Sequence, residues 1–357
     1  MEHYALRRIE IAARTRALPD CAHDSIPREG RVLVVRLSAL GDVLFALETV
    51  ASLKAERPDV RVDYLVEDRF ADLLHGHPDL DHVLVYPRRH KRRIPGHLRR
   101  LRRTRYDAVL DLHGITKSAV QVLCARAARK LGYDAPGARE GAERFYSERV
   151  ALPQPLPHRA DRGYHLLRAL GLRAAPTAPT LAPPDRPPDF WRSDEHPRVV
   201  LHPGASAFAA FKRWPLPKFV GLARRLRESG IMPAISFGPG EEELARALLA
   251  GAGCGRLLDG RALGLRGLGA VFAGADVVVA ADTGPLHIAA AAGAGVVALF
   301  GPKDPALYGP RTERRHVLFA DVPCRPCRLR TCPSPQCVLG IAVDDAARAV
   351  FDLLPSR

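Results

Sequence analysis

Five consecutive apolar residues, Val277-Val278-Val279-Ala280-Ala281, run into Asp282-Thr283-Gly284-Pro285 and then into Leu286-His287-Ile288-Ala289-Ala290. An apolar strand that ends at a polar turn and restarts as an alanine-rich helix is a building unit of an α/β sheet. The joint also makes an anion site. A helix N-terminus carries about half a positive charge on its unpaired N–H groups, worth roughly 0.3 to 1 kcal/mol to a nearby anion. Thr283 and Gly284 let a phosphate approach the backbone, so the expected ligand is a phosphate or diphosphate. Asp282 would repel it unless that carboxylate binds a metal ion or a hydroxyl. Pro285 suits the first helical turn, and His287 sits within it. On this motif alone, an ordinary strand-to-helix joint with Thr283 as N-cap stays open.

A second joint of the same kind starts the chain's first periodic stretch. Arg31-Val32-Leu33-Val34-Val35-Arg36 has the pattern of a buried parallel strand, residues 37–42 that of a tight loop, and residues 43–56 that of a helix. Asp42 is thereby expected at the carboxyl end of the first strand, where open α/β sheets hold their ligands. From position alone it either caps its helix or acts as a general base.

At 357 residues the chain exceeds what one core usually serves, so two domains of about 150 to 180 residues are expected. The longest apolar stretch, residues 288–300, falls short of the roughly 20 residues that cross a bilayer and is broken by glycines. The N-terminus, with Arg7, Arg8, Glu10, Arg14 and Arg16, lacks the apolar core of a secretion signal, so a cytoplasmic location is expected. Residues 6–16 suggest a short amphipathic helix.

Strand-like and helix-like patterns alternate twice over. The first half offers residues 62–66, 83–86 and 108–112 as further strands; the second offers 199–202, 233–237, 277–281 and 296–300. Between them, Pro176, Pro179, Pro183, Pro184, Pro187, Pro188 and Pro197 resist helix and central strand alike. The expected organisation is an N-terminal extension (1–29), an acceptor-side Rossmann-like domain (30–180), a proline-rich linker (181–197), a nucleotide-sugar-binding Rossmann-like domain (198–343) and a C-terminal helix (344–357) that packs back on the first domain. Neither half contains Gly-x-Gly-x-x-Gly or a Gly-Lys-Ser/Thr phosphate loop, which weakens dehydrogenase and P-loop readings.

Five motifs in order carry a resemblance. They are Leu37-Ser38-Ala39-Leu40-Gly41-Asp42-Val43; Tyr106-Asp107-Ala108-Val109-Leu110-Asp111-Leu112-His113-Gly114 with Lys117-Ser118; Arg139-Glu140; His202-Pro203-Gly204-Ala205 with Lys212-Arg213-Trp214-Pro215; and Asp282-Thr283-Gly284-Pro285-Leu286-His287. Together, over residues 31–350, they resemble glycosyltransferase family 9, the lipopolysaccharide heptosyltransferases. The resemblance implies an α/β protein of GT-B fold, with two Rossmann-like domains facing each other across a cleft. It implies inverting transfer of a heptose from ADP-heptose to a lipopolysaccharide core acceptor.

Such a transfer needs a base for the acceptor hydroxyl and positive charge where the leaving diphosphate grows negative. The resemblance assigns the base to Asp42 and the mobile cation to Lys212. Donor contacts are expected from Ser206, Glu241, Asp282, Thr283, Gly284 and His287, with Glu241 accepting the adenosine ribose hydroxyls. Lys117 and Arg139 are expected to face the acceptor's acidic groups. Each has an ordinary counterpart: Ser206 a turn former, Glu241 a first-turn glutamate, Lys212 a surface lysine, Trp214 a core aromatic, Arg139-Glu140 a surface ion pair. No cofactor is obligatory in this reading, and Asp282 is the place for a Mg²⁺. After Gly41-Asp42-Val43-Leu44 the family often has His or Thr and then Pro. This chain has Phe45-Ala46-Leu47-Glu48, which puts the acceptor's identity in question.

Lysine and arginine outnumber aspartate and glutamate by 54 to 39. Much of the excess lies in Arg88, Arg89, Lys91, Arg92, Arg93, Arg99, Arg100, Arg102, Arg103 and Arg105, with no acid among them. Near an anionic leaflet each such residue contributes about 1 kcal/mol, so peripheral binding to the inner face of the inner membrane is expected, beside a lipid-linked saccharide acceptor. A plain solvated basic surface is the alternative. No nucleic acid is expected, because no aromatic residue interleaves the run between Tyr86 and Tyr106.

Cys324, Cys327, Cys332 and Cys337 cluster, and the first pair has metal-ligand spacing. Similar cysteines recur in the resembled family outside its chemistry, so a structural loop of thiols is favoured over zinc. Cys21, Cys124 and Cys254 are isolated and expected as buried thiols. Two alternatives stay open: transfer from another nucleotide sugar, and a protein of the same fold that binds nucleotide or anionic polymer without turnover.

Overall fold

Runs of valine, leucine and isoleucine between glycines and prolines become two six-stranded sheets, all of whose neighbouring strands are parallel. A computed structural model describes residues 26–355 except 180, 185–187, 193–195, 206, 328 and 330; for residues 91 and 207–209 it describes the backbone alone. The expected N-terminal helix and Cys21 lie outside the described residues, as does Ser206.

The first sheet contains β1 (Arg31–Val35), β2 (Arg61–Glu67), β3 (His82–Tyr86), β4 (Arg105–Asp111), β5 (Arg126–Tyr133) and β6 (Glu148–Val150), in the order β3-β2-β1-β4-β5-β6. The second contains β7 (Val199–His202), β8 (Ala234–Phe237), β9 (Arg256–Asp259), β10 (Val277–Ala281), β11 (Gly295–Leu299) and β12 (Arg315–Leu318), in the order β12-β11-β10-β7-β8-β9. Counted from each sheet's own first strand, both orders are 3-2-1-4-5-6, the doubly wound arrangement whose ligands lie at the carboxyl ends of the strands. Helices α1 (Leu40–Glu56), α2 (Ile94–Arg103), α3 (Thr116–Cys124) and α4 (Arg162–Ala169) accompany the first sheet. With the second go α5 (Leu216–Glu228), α6 (Glu242–Ala252), α7 (Gly260–Ala273), α8 (Gly284–Ala291), α9 (Pro305–Tyr308), α10 (Gln336–Leu339) and α11 (Val343–Leu353).

One apolar cluster runs without a break from Val34, Leu44 and Leu47 of the first domain to Leu286, Ile288 and Phe272 of the second. Each such buried side chain contributes about 1.5–3 kcal/mol, so the domains are joined by core packing and not by the linker alone. The linker itself is pinned where it is described, with Trp191 Nε1 donating to Val271 O at 2.7 Å.

Two expectations are corrected. The first helix begins at Leu40, three residues early, so Asp42 stands inside its first turn and not at the end of a loop. The C-terminal helix α11 packs on α5 and on β10 to β12 of its own domain, not on the first. Its buried face, Ala346, Ala347, Ala349 and Val350, is small enough to lie flat in the cluster with Trp214, Phe219 and Leu222. Strands β5, β6, β9 and β12 were not anticipated. β5 carries Arg126, Arg129 and Lys130, and its first five residues remain partly open to solvent.

Candidate active site

β1 delivers the chain into α1, and Asp42 emerges in the first turn. No side chain caps this helix from Ala39, and Asp42 does not serve as a cap. Its Oδ2 lies 2.6 Å from Arg36 Nη2, and its Oδ1 lies 3.6 Å from Arg159 Nη1. Arg36 is buried at the end of β1, and its second terminal nitrogen donates to Leu112 O. Burial alone would push the Asp42 carboxyl up, but Arg36 and Arg159 more than reverse this and hold it well below the usual carboxylate range. His113 lines the same pocket, where burial and then Arg36 push its imidazole down to about 2, so it is neutral.

The second sheet presents Asp282 after β10. Lys212 Nζ lies 2.5 Å from Asp282 Oδ2 and donates to Asp282 O at 3.3 Å; His287 Nε2 lies 3.7 Å from Oδ1. Burial raises this carboxyl, and His287 with Lys212 outweighs burial, so it stays ionised below its ordinary range. Thr283 precedes α8 without capping it: its hydroxyl donates back to Ala281 O at 3.1 Å. That leaves the first-turn amides unclaimed by the Thr283 side chain.

Two glycines bring these corners together. A Cβ on Gly41 would lie 2.5 Å from His287 Cδ2, and a Cβ on Gly284 would lie 2.3 Å from Leu40 Cδ2. Each glycine is the floor on which a side chain of the other domain rests. Asp42 follows Gly41 directly, so the two carboxylates are separated by the Gly41–His287 contact and the His287–Asp282 contact. Phe45, the departure from the resembled pattern, sets its ring edge-on between His287 (4.9 Å between centroids) and His158 (5.0 Å).

Glu241 lies elsewhere, at the ends of β7 and β8. It accepts from Gly238 N at 2.8 Å, and its Oε2 is 3.6 Å from Nε2 of buried His202, whose Nδ1 is 2.9 Å from Ser236 Oγ. Lys117 points to a third place. Its Nζ lies 2.5 Å from Oε1 of fully buried Glu67, which also holds Arg69 at 2.9 Å and Arg88 at 3.1 Å. Arg139 is exposed, and its N–H donates to Gly114 O at 2.8 Å. Trp214 is a core residue, donating to Ile341 O at 3.2 Å.

Among the described residues, no group of three or more His, Cys, Asp or Glu is disposed to hold a metal ion, the four clustered cysteines included. Cys324, Cys327, Cys332 and Cys337 are free thiols, as are buried Cys254 and half-buried Cys124. No helix among the described residues is long and apolar enough to cross a membrane. Arg36, Glu48, Glu67 and Arg159 were not singled out from the sequence; Arg36, Glu48 and Glu67 stand directly beside or within an apolar run, whereas Arg159, in Pro157-His158-Arg159-Ala160-Asp161, carries no such pattern.

The family model "Glycosyltransferase family 9 (heptosyltransferase)" matches residues 95–338. Lipopolysaccharide heptosyltransferase 1 of Pseudomonas aeruginosa is 32% identical over 332 residues, covering 85% of this chain and 87% of the relative. The enzyme of the same name from Escherichia coli K12 is 30% identical over 300 residues, 78% of this chain and 90% of the relative. Of solved structures, E. coli heptosyltransferase WaaC with ADP superposes with a TM-score of 0.73 at 25% identity over 90% of this chain and 99% of that one. WaaC with ADP-2-deoxy-2-fluoro heptose gives 0.70 at 26% identity over 82% and 93%. Two parallel sheets of identical order, meeting at their strand ends, make this a GT-B glycosyltransferase. More closely, the chain belongs to glycosyltransferase family 9, the heptosyltransferases.

Proposed function

We propose that this enzyme moves a heptose from ADP-heptose to a lipopolysaccharide core acceptor with inversion at the anomeric carbon. The observation that carries the reading is the apposition of an ionised Asp42, through Gly41 and His287, to the Asp282–Lys212 pair. The solved relatives with ADP and with an ADP-heptose analogue support the donor, and the curated relatives' names support the acceptor.

In this reaction the acceptor oxygen forms its bond to the anomeric carbon as the bond to the diphosphate breaks, and the hydroxyl proton passes to Asp42. A carboxylate held so low is a weak base at rest. It suffices because the attacking hydroxyl becomes strongly acidic once its oxygen bonds to an oxocarbenium-like carbon. Lys212 turns from Asp282 toward the leaving phosphate, and the first-turn amides of α8 add N–H donors where charge grows. Gly284 serves the domain contact as well as any phosphate. Asp282, Thr283 and His287 frame that end of the site; Glu241, steadied by His202, offers a carboxylate to the ribose; Lys117 and Arg139 flank the acceptor side. The reading needs no obligatory cofactor, because Lys212 and His287 already engage both Asp282 oxygens; a Mg²⁺ requirement would mean that this pair opens.

The exposed basic residues of α2 and its approach, joined to Lys117 through Arg88 and Glu67, suit an anionic leaflet at the inner face of the inner membrane. The test is ADP release from ADP-heptose with purified acceptor. Turnover with inverted product, lost in Asp42→Asn by several orders of magnitude, is expected; turnover only with another nucleotide sugar corrects the donor, and an active Asp42→Asn rejects the base.

A further inference from the structure

The two cations that hold Asp42 are fastened in different domains. Arg36 belongs wholly to the first: its backbone N–H donates to Leu65 O at 3.1 Å and its side chain to Leu112 O. Arg159 lies in the strap before α4, and that strap is stitched to the second domain. The Arg159 N–H donates to Leu307 O at 3.1 Å, its guanidinium stands 5.3 Å from the Tyr308 ring centroid, and His158 Nε2 is 3.1 Å from Gly309 O. Two residues on, Asp161 pairs with Arg311 at 3.0 Å. The same guanidinium that crosses to Tyr308 reaches back to Asp42 Oδ1, and its Nε is buried without a hydrogen-bond partner.

We propose that Arg159 is a positioning residue that ties closure of the two domains to the Asp42 carboxylate. This rests on the reading of Asp42 as the base. With the domains parted, Asp42 keeps Arg36, and Arg159 loses Tyr308 and Leu307 as anchors. With the domains closed, a second cation fixes Oδ1 and keeps the carboxylate deprotonated until the acceptor hydroxyl attacks. Base and donor domain are thereby readied together.

The groups facing Asp42 are Arg36 at the end of β1, Tyr64 of β2, His113 after β4, Tyr133 of β5, Arg159 in the strap, Arg162 of α4 and Tyr308 of α9. Burial keeps Tyr64, Tyr133 and His113 neutral, so the positive charges that act on Asp42 are guanidinium groups. Of these, Arg159 is held by its backbone and its guanidinium to the second domain.

The experiment is the pH dependence of kcat/KM in wild type, Arg159→Met, Arg159→Lys and Tyr308→Leu, each checked for a native thermal transition. Arg159→Met is expected to move the acid limb up by one pH unit or more with donor KM changed less than twofold, and Arg159→Lys to return it toward wild type. Tyr308→Leu removes the anchor and leaves the arginine, so it moves the limb the same way by less; it also carries the test if Arg159→Met does not fold. An acid limb that coincides with wild type in both Arg159→Met and Tyr308→Leu, while Asp42→Asn is inactive, overturns the proposal and spares the base. Turnover retained in Asp42→Asn overturns both.

Discussion

Gly284 of the second domain and Leu40 of the first compete for one volume: a Cβ on the glycine would sit 2.3 Å from Leu40 Cδ2. The motif therefore does two jobs, opening a helix that offers amides and accepting a side chain from the opposite wall. Gly284→Ala is expected to lower kcat/KM by about 10- to 100-fold, the cost of overpacking by one methyl group. Leu40→Ala in the same chain should recover most of that loss. A double variant no better than Gly284→Ala alone would move the constraint from Leu40 to the ligand, and steady-state kinetics distinguishes the two.

Lys212 carries charge both for Asp282 and for the leaving group in this mechanism. Lys212→Ala is expected to lower kcat by roughly 10² to 10³, the usual effect of removing a preorganised stabiliser of developing charge. It also leaves the Asp282 carboxylate buried without its cation, so the melting temperature falls; adding Asp282→Asn should restore the melting temperature without restoring turnover. Wild-type turnover should be unchanged by EDTA. A requirement for added Mg²⁺ would show that the lysine is not the cation that matters.

Glu48 is buried against Tyr164 of its own domain, at 3.2 Å, and, across the domain boundary, Arg311, at 3.3 Å. Burial pushes its carboxyl up to about 7 from an ordinary 4.5, with Arg311 opposing. A carboxyl that binds its proton more tightly folded than unfolded stabilises the fold fully below pH 4.5, and that contribution is lost as pH rises toward 7. The loss is on the order of 3 kcal/mol. Glu48→Gln is expected to match wild type near pH 4.5 and to melt higher at pH 8, with Arg311 retained by Asp161. A melting difference that does not change between the two pH values rules this out.

Arg99, Arg100, Arg102 and Arg103 are exposed on α2, and Leu101 is its buried residue. Replacing the four by Gln should weaken flotation with anionic vesicles by about a thousandfold at moderate salt, at about 1 kcal/mol per charge. Equal flotation removes the membrane reading.

Central strands were legible because burial on both faces demands unbroken apolar runs, as in Val32 to Val35 and Val277 to Ala281. β5, between β4 and β6, was not: it mixes Arg126, Arg129 and Lys130 into its ladder and has no period to read. At the site, Asp42, Lys212 and Asp282 stood out through their motifs, and the structure brings the last two into one ion pair. Arg159 and Glu67 did not, because a side chain's partner more than a hundred residues away, or one hidden beneath a strand end, leaves no spacing in the chain. The expected return of the C-terminal helix to the first domain failed for a related reason: alanine on a helix face says that something packs closely, not what.

One buried carboxylate, Glu67, gathers Arg69, Arg88 and Lys117 from three separate segments, so that these four groups together carry two net positive charges. The anchor is out of reach of any solute, whereas Arg69 and Arg88 are open to solvent. The charge of this surface is thus modular: replacing the outer arginines would rewrite what the surface attracts, while the lysine kept its bearing.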